Sequence, residues 1–248
     1  MSNTDNHTGH VTKSCVLCGE TLEHLSKNIE NVHCDNCRQI KPASARCKMG
    51  HVICNDCLNE TVFEFVKNKC LAYKGNDPIE LVVEIMNSPL VNMHGPEHHY
   101  ILPSVMLTVT PKNKLSNKTL KELLEIADER ISKEVCVDCS TATETCGAAM
   151  GAGIFIEIIN GLNEKKDDKL NNLSKELTDK CFAKIKEHGG PKCCKRDTYF
   201  SIQTSIDFLK EKYGITLPQS KAKCTFSLRN KSCGLEKCIF YNLANSLV

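Results

Sequence analysis

The sequence predicts a mainly α protein, with a small zinc-finger module of zinc-ribbon or treble-clef type at the N-terminus and an all-α helical bundle after it. Three observations carry this prediction. Residues 15–58 are poor in large aliphatics but hold seven cysteines and a histidine at metal-ligand spacings. From residue 59 the apolar residues recur near a 3.6 period, as on a buried helix face. No stretch of 59–220 alternates convincingly in the way a half-buried strand does.

Residues 1–14, MSNTDNHTGHVTKS, read as a flexible tail with no apolar stretch, so neither export signal nor membrane anchor is expected and the expected location is cytoplasmic. Next come Cys15-x2-Cys18 and Cys34-x2-Cys37, then Cys47-x3-His51-x2-Cys54-x2-Cys57. Each Cys-x-x-Cys turn aims two sulfurs at one ion, and four such donors make the tetrahedral site that zinc prefers. Eight donors predict about two structural zinc ions. The pairing stays open. In sequential order Cys15, Cys18, Cys34 and Cys37 hold one ion and Cys47, His51, Cys54 and Cys57 the other. In crossed order Cys34 and Cys37 join Cys54 and Cys57, leaving Cys47 and His51 with the first knuckle. CKMGHVICNDC is similar to part of a RING-type finger, but its Cys-to-His gap is two residues longer, and no ubiquitin-ligase activity is inferred.

The predicted helical domain, 59–220, begins with ETVFEFVKNKCLAY, where Val62, Phe63, Val66, Cys70 and Leu71 keep the helical period. Asp77-Pro78 is an N-cap and first-turn pair for IELVVEIMNS. HHYILPSVMLTV reads as a buried helix kinked or started near Pro103. LKELLEIADERISKE is an exposed amphipathic helix. AAMGAGIFIEIINGL is apolar nearly all round, which marks a central helix with small residues for close backbone approach. KLNNLSKELTDKCFAKIKEHGG places Leu170, Leu173, Leu177, Cys181 and Ile185 on one stripe and ends in a glycine pair suited to a C-cap. TYFSIQTSIDFLKEKYG repeats the pattern from near Asp197 and ends at Gly214. The tail 221–248 is cysteine-rich, and its Cys224, Cys233 and Cys238 predict a further metal-binding set that pins it to the helical domain.

Composition limits the function classes. At 248 residues, 41% hydrophobic and 25% charged, with a net charge of +2, the chain is a globular protein without the basic excess that nucleic acid or an anionic membrane requires. Seventeen cysteines without an export signal point to metal ligands or reactive thiols instead of disulfides. Within the helical domain, Cys136, Cys139 and Cys146 precede the central helix, and a thiol at a helix start is favoured as thiolate. Cys193 and Cys194 stand beside Lys192, Lys195 and Arg196 just before the last long helix. MHGPEHHY, residues 93–100, offers His94, Glu97, His98 and His99 for metal binding or proton transfer. The expected centre joins Cys193 and Cys194 to Cys146, with Cys136 or Cys139, near His94 and His98.

TCGAAMGAG followed later by PKCC resembles the family, proposed to be redox-active, that is named for its Cys, Gly-Cys-Ala-x-x-Gly, Cys, Cys pattern, with Thr145 standing where that family has Gly. On that resemblance Cys139 or Cys136 is the first cysteine, Cys146-Gly147-Ala148 with Gly151 the centre, and Cys193 or Cys194 the later one. The order of finger, MHGPEHH, CGAA-x-G-x-G, GGP-x-CCKRD and terminal cysteines resembles a cysteine-rich domain family of anaerobic archaea and bacteria, whose members are sometimes associated with radical-SAM or methyltransferase proteins. The resemblance implies an anaerobe and a redox or sulfur context.

The leading expectation is thus a metalloprotein of anaerobic metabolism, with structural zinc and a cysteine-bound iron–sulfur centre for redox or sulfur transfer. Cys146, Cys193 and Cys194 are its expected ligands or reactive thiols. Arg196 and Lys195 are expected to hold a small anionic substrate, and His94 or His98 to move protons; a redox partner protein is the other expected partner. Two alternatives stand beside it: a zinc-stabilised recruitment module for a partner enzyme, and a metal-dependent transferase using the His94 and His98 region.

Overall fold

The computed structural model describes residues 15, 17–18, 20–88, 90–115, 117–134, 146–161, 168–227 and 230–242. They divide into two compact units, one spanning Met1–Phe65 and Ser88–Val91, the other Val66–Asn87 and Asn92–Val248. Among the described residues no helix is long and apolar enough to cross a membrane.

The first unit is a three-stranded antiparallel sheet, β1 (Leu22–His33), β2 (Ile40–Cys47) and β3 (Val52–Ile53), followed by the short helix α1 (Asn55–Asn59). The sequence alone reads as loop here, because SKNIENVH does not alternate; the β1–β2 register is broken twice, between His24 and Ile29 and between Ile29 and Val32. Cysteine knuckles hold the strands instead. Cys34 begins the β1–β2 connection, where Arg38 N–H bonds Cys34 O and Arg38 takes a φ of 61°. The β2–β3 turn runs from Cys47 to His51 and needs Gly50 at a φ of 92°, a backbone state that costs other residues a steric penalty. Five of the nine residues in this unit's core are cysteines, beside Leu22, Ala45, Ile53 and Leu58. Four aliphatic side chains cannot offset the chain entropy of about fifty residues, so the sulfurs must contribute through something they bind.

The chain passes into the second unit along α2 (Val62–Ala72), which opens with a reciprocal capping box: Glu64 N–H bonds Thr61 Oγ1 and Thr61 N–H bonds Glu64 Oε2. Then follow α3 (Pro78–Asn87), α4 (Glu97–Val109), α5 (Leu120–Glu134), α6 (Gly147–Ile159), α7 (Asp168–His188) and α8 (Cys194–Tyr213), with a 3-10 turn at Lys112–Lys114 and another at Leu235–Lys237. The described part of this unit contains no strand. Asp77 caps α3 through Ile79 N–H at 2.7 Å and also accepts Ser220 N–H at 2.8 Å, tying the chain after α8 to the start of α3.

Helix α6 is the centre, packed against α4, α5, α7 and α8. Helix α4 does not start or stop at Pro103 but runs through it. Proline removes the helical N–H that would have bonded the carbonyl four residues back, which is His99 O. That carbonyl faces α6 at Gly151, where an added Cβ would come within 2.5 Å of it. The glycine thus allows the α6 backbone to approach the point where α4 is weakest. Helix α7 ends at Gly189 and α8 at Gly214, both at positive φ; Ile215 N–H then bonds Leu209 O.

Candidate metal centres

The eight N-terminal donors come together as two separate groups, Cys15 with Cys18, Cys47 and His51, and Cys34 with Cys37, Cys54 and Cys57; within each group the ligand atoms all lie within 4.8 Å of one another. This is the crossed arrangement. The β2–β3 ladder explains it: β2 ends at Cys47 and β3 leads into Cys54, so antiparallel pairing carries the two ends of CKMGHVICNDC toward different knuckles.

The spacings fit one ion per group. Tetrahedral thiolates about 2.3 Å from zinc lie about 3.8 Å apart. The observed separations are 3.8 Å for Cys18 to Cys47, 3.8 Å for Cys37 to Cys54, 3.9 Å for Cys34 to Cys57 and 3.7 Å from Cys15 Sγ to His51 Nδ1. No disulfide joins these cysteines. Backbone N–H groups point at the sulfurs, Leu17 N–H at Cys15 and Cys54 N–H at Cys34, as the surroundings of metal-bound thiolates require. Opposing the effect of burial, backbone N–H groups bring Cys34 and Cys47 down to about 7. Burial pushes Cys15 up to about 11 and raises Cys54 and Cys57. Without a cation, the three thiols of one group and the four of the other cannot all ionise at this spacing; a dication reverses that balance. Both groups are closed, four-donor sets with no open position for a substrate, which is the character of structural sites.

In the helical unit, Cys136 and Cys139 lie outside the described residues. Cys146 is the N-cap residue of α6 and Cys193 that of α8. Cys146 raises the already buried thiol of Cys181 electrostatically. Cys193 instead lines a cavity with Cys224, Cys233 and Cys238, and Cys146 and Cys194 are not among the residues lining it. Cys194, only 6% exposed, is the first residue of α8. The adjacent pair is therefore divided, one cysteine toward the C-terminal cysteines and the other toward the helix packing.

The histidines and cations have other engagements. His98, 1% exposed, sits 3.1 Å from Asn92 O through Nε2 and 3.3 Å from Thr198 Oγ1 through Nδ1. A carbonyl can only accept, which assigns the proton to Nε2. Burial, with the nearby charge of Lys195, pushes His98 down to about 3; burial with Lys192 pushes His99 down to about 4. Both rings are neutral parts of the packing, while His94 is exposed. Lys195, 1% exposed, donates to Met86 O at 2.8 Å at the end of α3 and lies 4.2 Å over the Phe226 ring. Arg196 pairs with Asp197 at 3.0 Å. Sequence reasoning placed Lys195 and Arg196 on a substrate and missed Tyr199, Ser227 and Asn230, which join Cys193 only through the fold. The one sequence signal for that grouping is the need of Cys224, Cys233 and Cys238 for a fourth ligand.

No curated protein and no solved structure matches the chain. A model described as a family of unknown function matches residues 66–241, starting where the helical unit starts and leaving the double metal module outside. Because the match takes in well over half of the 248 residues, the chain belongs to that family of unknown function, DUF5714.

Proposed function

We propose that the chain is a metalloprotein of two parts: an N-terminal module braced by two structural zinc ions, and a helical unit whose cysteines hold an iron–sulfur centre for redox or sulfur-transfer chemistry in an anaerobic setting. The observation that carries the reading is the closure of both N-terminal donor sets. Zinc suits a mixed Cys₃His set and a Cys₄ set equally and brings no redox chemistry of its own, so any reaction falls to the helical unit. That unit has thiols at the starts of α6 and α8 and cationic residues at 192, 195 and 196; burial raises Cys193, so its thiolate form calls for a bound metal.

A second reading, recruitment of a partner enzyme by the N-terminal module, is favoured by three large hydrophobic residues it exposes, Ile29, Ile40 and Met49, at 41%, 57% and 69%. A transferase acting directly through His98 has less support, because that ring is enclosed and bonded on both nitrogens.

The test is the metal content of protein purified without oxygen, followed by chelation. About two zinc ions per chain that resist dialysis, and whose removal unfolds the N-terminal sheet while the helices persist, are expected for structural sites. Iron together with acid-labile sulfide is expected in addition. A protein that keeps its sheet after complete zinc removal, or that contains no iron, contradicts the corresponding half of the proposal.

A further inference from the structure

Resting on that reading, we infer that Cys193, Cys224, Cys233 and Cys238 are the four ligands of the iron–sulfur centre, which occupies the cavity between the start of α8 and the C-terminal segment. The cavity, of about 30 Å³, is lined by all four cysteines. Three of them come from the 15-residue stretch 224–238 and the fourth is the N-cap residue of α8. Cys224 N–H bonds Phe240 O at 2.7 Å, Cys233 N–H bonds Asn230 O and Cys238 N–H bonds Leu235 O. The segment is therefore folded back on itself around its sulfurs.

The sulfurs are surrounded by donors. Phe226 N–H points at Cys224 Sγ and Leu235 N–H at Cys233 Sγ, each at 3.3 Å. This is the same two-residue relation that Leu17 N–H has to Cys15 in the N-terminal module. Asn230 Nδ2 points at Cys193 Sγ at 3.6 Å. Two further hydroxyls lining the cavity, Tyr199 and Ser227, are 1% and 6% exposed and have no hydrogen-bond partner. A buried hydroxyl without a partner costs about 1–3 kcal/mol. Two of them on one cysteine-lined cavity call for an acceptor inside it, and bridging sulfide and thiolate sulfur are acceptors.

Spacing chooses the occupant. Among the described residues, the donor groups that close to within 4.8 Å of one another are the two N-terminal ones, and these four sulfurs do not form such a group. A single tetrahedral ion draws its thiolates to about 3.8 Å. A four-iron, four-sulfide cubane takes one thiolate at each iron corner and so spreads its four cysteines more widely. With four thiolates such a cluster is anionic, and Lys195 and Arg196 also line the cavity.

The experiment uses the full chain purified without oxygen. Iron, sulfide and zinc per chain, the visible absorption and the electron paramagnetic resonance spectrum after reduction are measured for the parent, Cys224→Ser, Cys238→Ser, Cys146→Ser, Cys194→Ser and Tyr199→Phe. The expected result is loss of iron, sulfide and colour in Cys224→Ser and Cys238→Ser, with zinc and the helical circular dichroism unchanged. Cys146→Ser and Cys194→Ser are expected to keep the cluster. Tyr199→Phe is expected to keep it at a lower midpoint potential, since a donor that favours the more negative, reduced state is gone. A cluster that survives in Cys224→Ser and Cys238→Ser but disappears in Cys146→Ser or Cys194→Ser overturns this ligand set and leaves the iron–sulfur reading standing. A parent with no iron and a third zinc overturns both.

Discussion

Acidification from about pH 7 to about pH 5.5 should weaken the helical unit by about 2.5 kcal/mol through two buried histidines, a figure that follows from linkage between protonation and folding. His98 and His99 are 1% and 3% exposed, and the fold holds them near 3 and 4 against an ordinary value of 6.5. A histidine with a depressed folded pKa is neutral in both states above 6.5; below that, only the unfolded chain takes the proton. Stability is thus complete above the unfolded value and falls, at about 1.4 kcal/mol per pH unit for each ring, until the folded value is reached. Over the stated window each ring contributes about 1.3 kcal/mol. The carboxylates of Glu97 and Asp197 oppose this, since burial raises both and the folded state binds their protons more readily as pH falls. Urea unfolding followed by the helical signal at several pH values measures the slope. His98→Gln, whose amide N–H can still donate to Asn92 O, should remove about half of it. An unfolding free energy equal at both pH values, or a His98→Gln slope equal to the parent's, refutes the reasoning.

Gly151→Ala sets helix propensity against packing. Its Cβ would lie 2.5 Å from His99 O and 3.0 Å from Pro103 Cδ, so α4 and α6 must part by about 0.9 Å to restore ordinary contact at 3.4 Å. Overpacking of that kind costs about 1–3 kcal/mol against a propensity gain of about 1 kcal/mol, which predicts a net loss of up to about 2 kcal/mol and a fall in Tm of up to roughly 8 °C in a scanning calorimeter. Asp77→Ala should lose about 1–2 kcal/mol from the α3 cap alone and more from the Ser220 contact. Asp77→Asn keeps the cap through Oδ1 but turns an amide toward Ser220 N–H, so its loss in chemical denaturation should be smaller than that of the alanine variant.

The sequence showed the helices well because their apolar faces are long and periodic, and because their ends carry recognisable chemistry at Asp77, Gly189 and Gly214. The sheet of the first unit was not legible. Its strands are set by where Cys34, Cys47 and Cys54 must stand, not by an apolar alternation, and β1 has none to display. Eight donors were readable by spacing, whereas their pairing was not, since it depends on antiparallel register between β2 and β3. At the second site, adjacency misled. Cys193 and Cys194 are neighbours in sequence, yet the first turn of a helix sends successive side chains in different directions, and Cys193 lines the cavity with Cys224, Cys233 and Cys238 while Cys194 is not in its lining. The histidines of MHGPEHH looked chemical because histidine so often is; in the fold His98 is buried between Asn92 and Thr198 of α8, and His99 lies against α6 at Gly147 and Gly151.

The crossed double site is tested most directly by native mass spectrometry of two double variants of the full chain. Cys18→Ser with His51→Ala removes two ligands from one group and none from the other, so one of the two N-terminal zinc ions should remain. Cys18→Ser with Cys37→Ser damages both groups, and neither ion should remain. The reverse result, with no N-terminal zinc in the first variant and one ion in the second, would mean that the knuckles pair sequentially and would contradict the account.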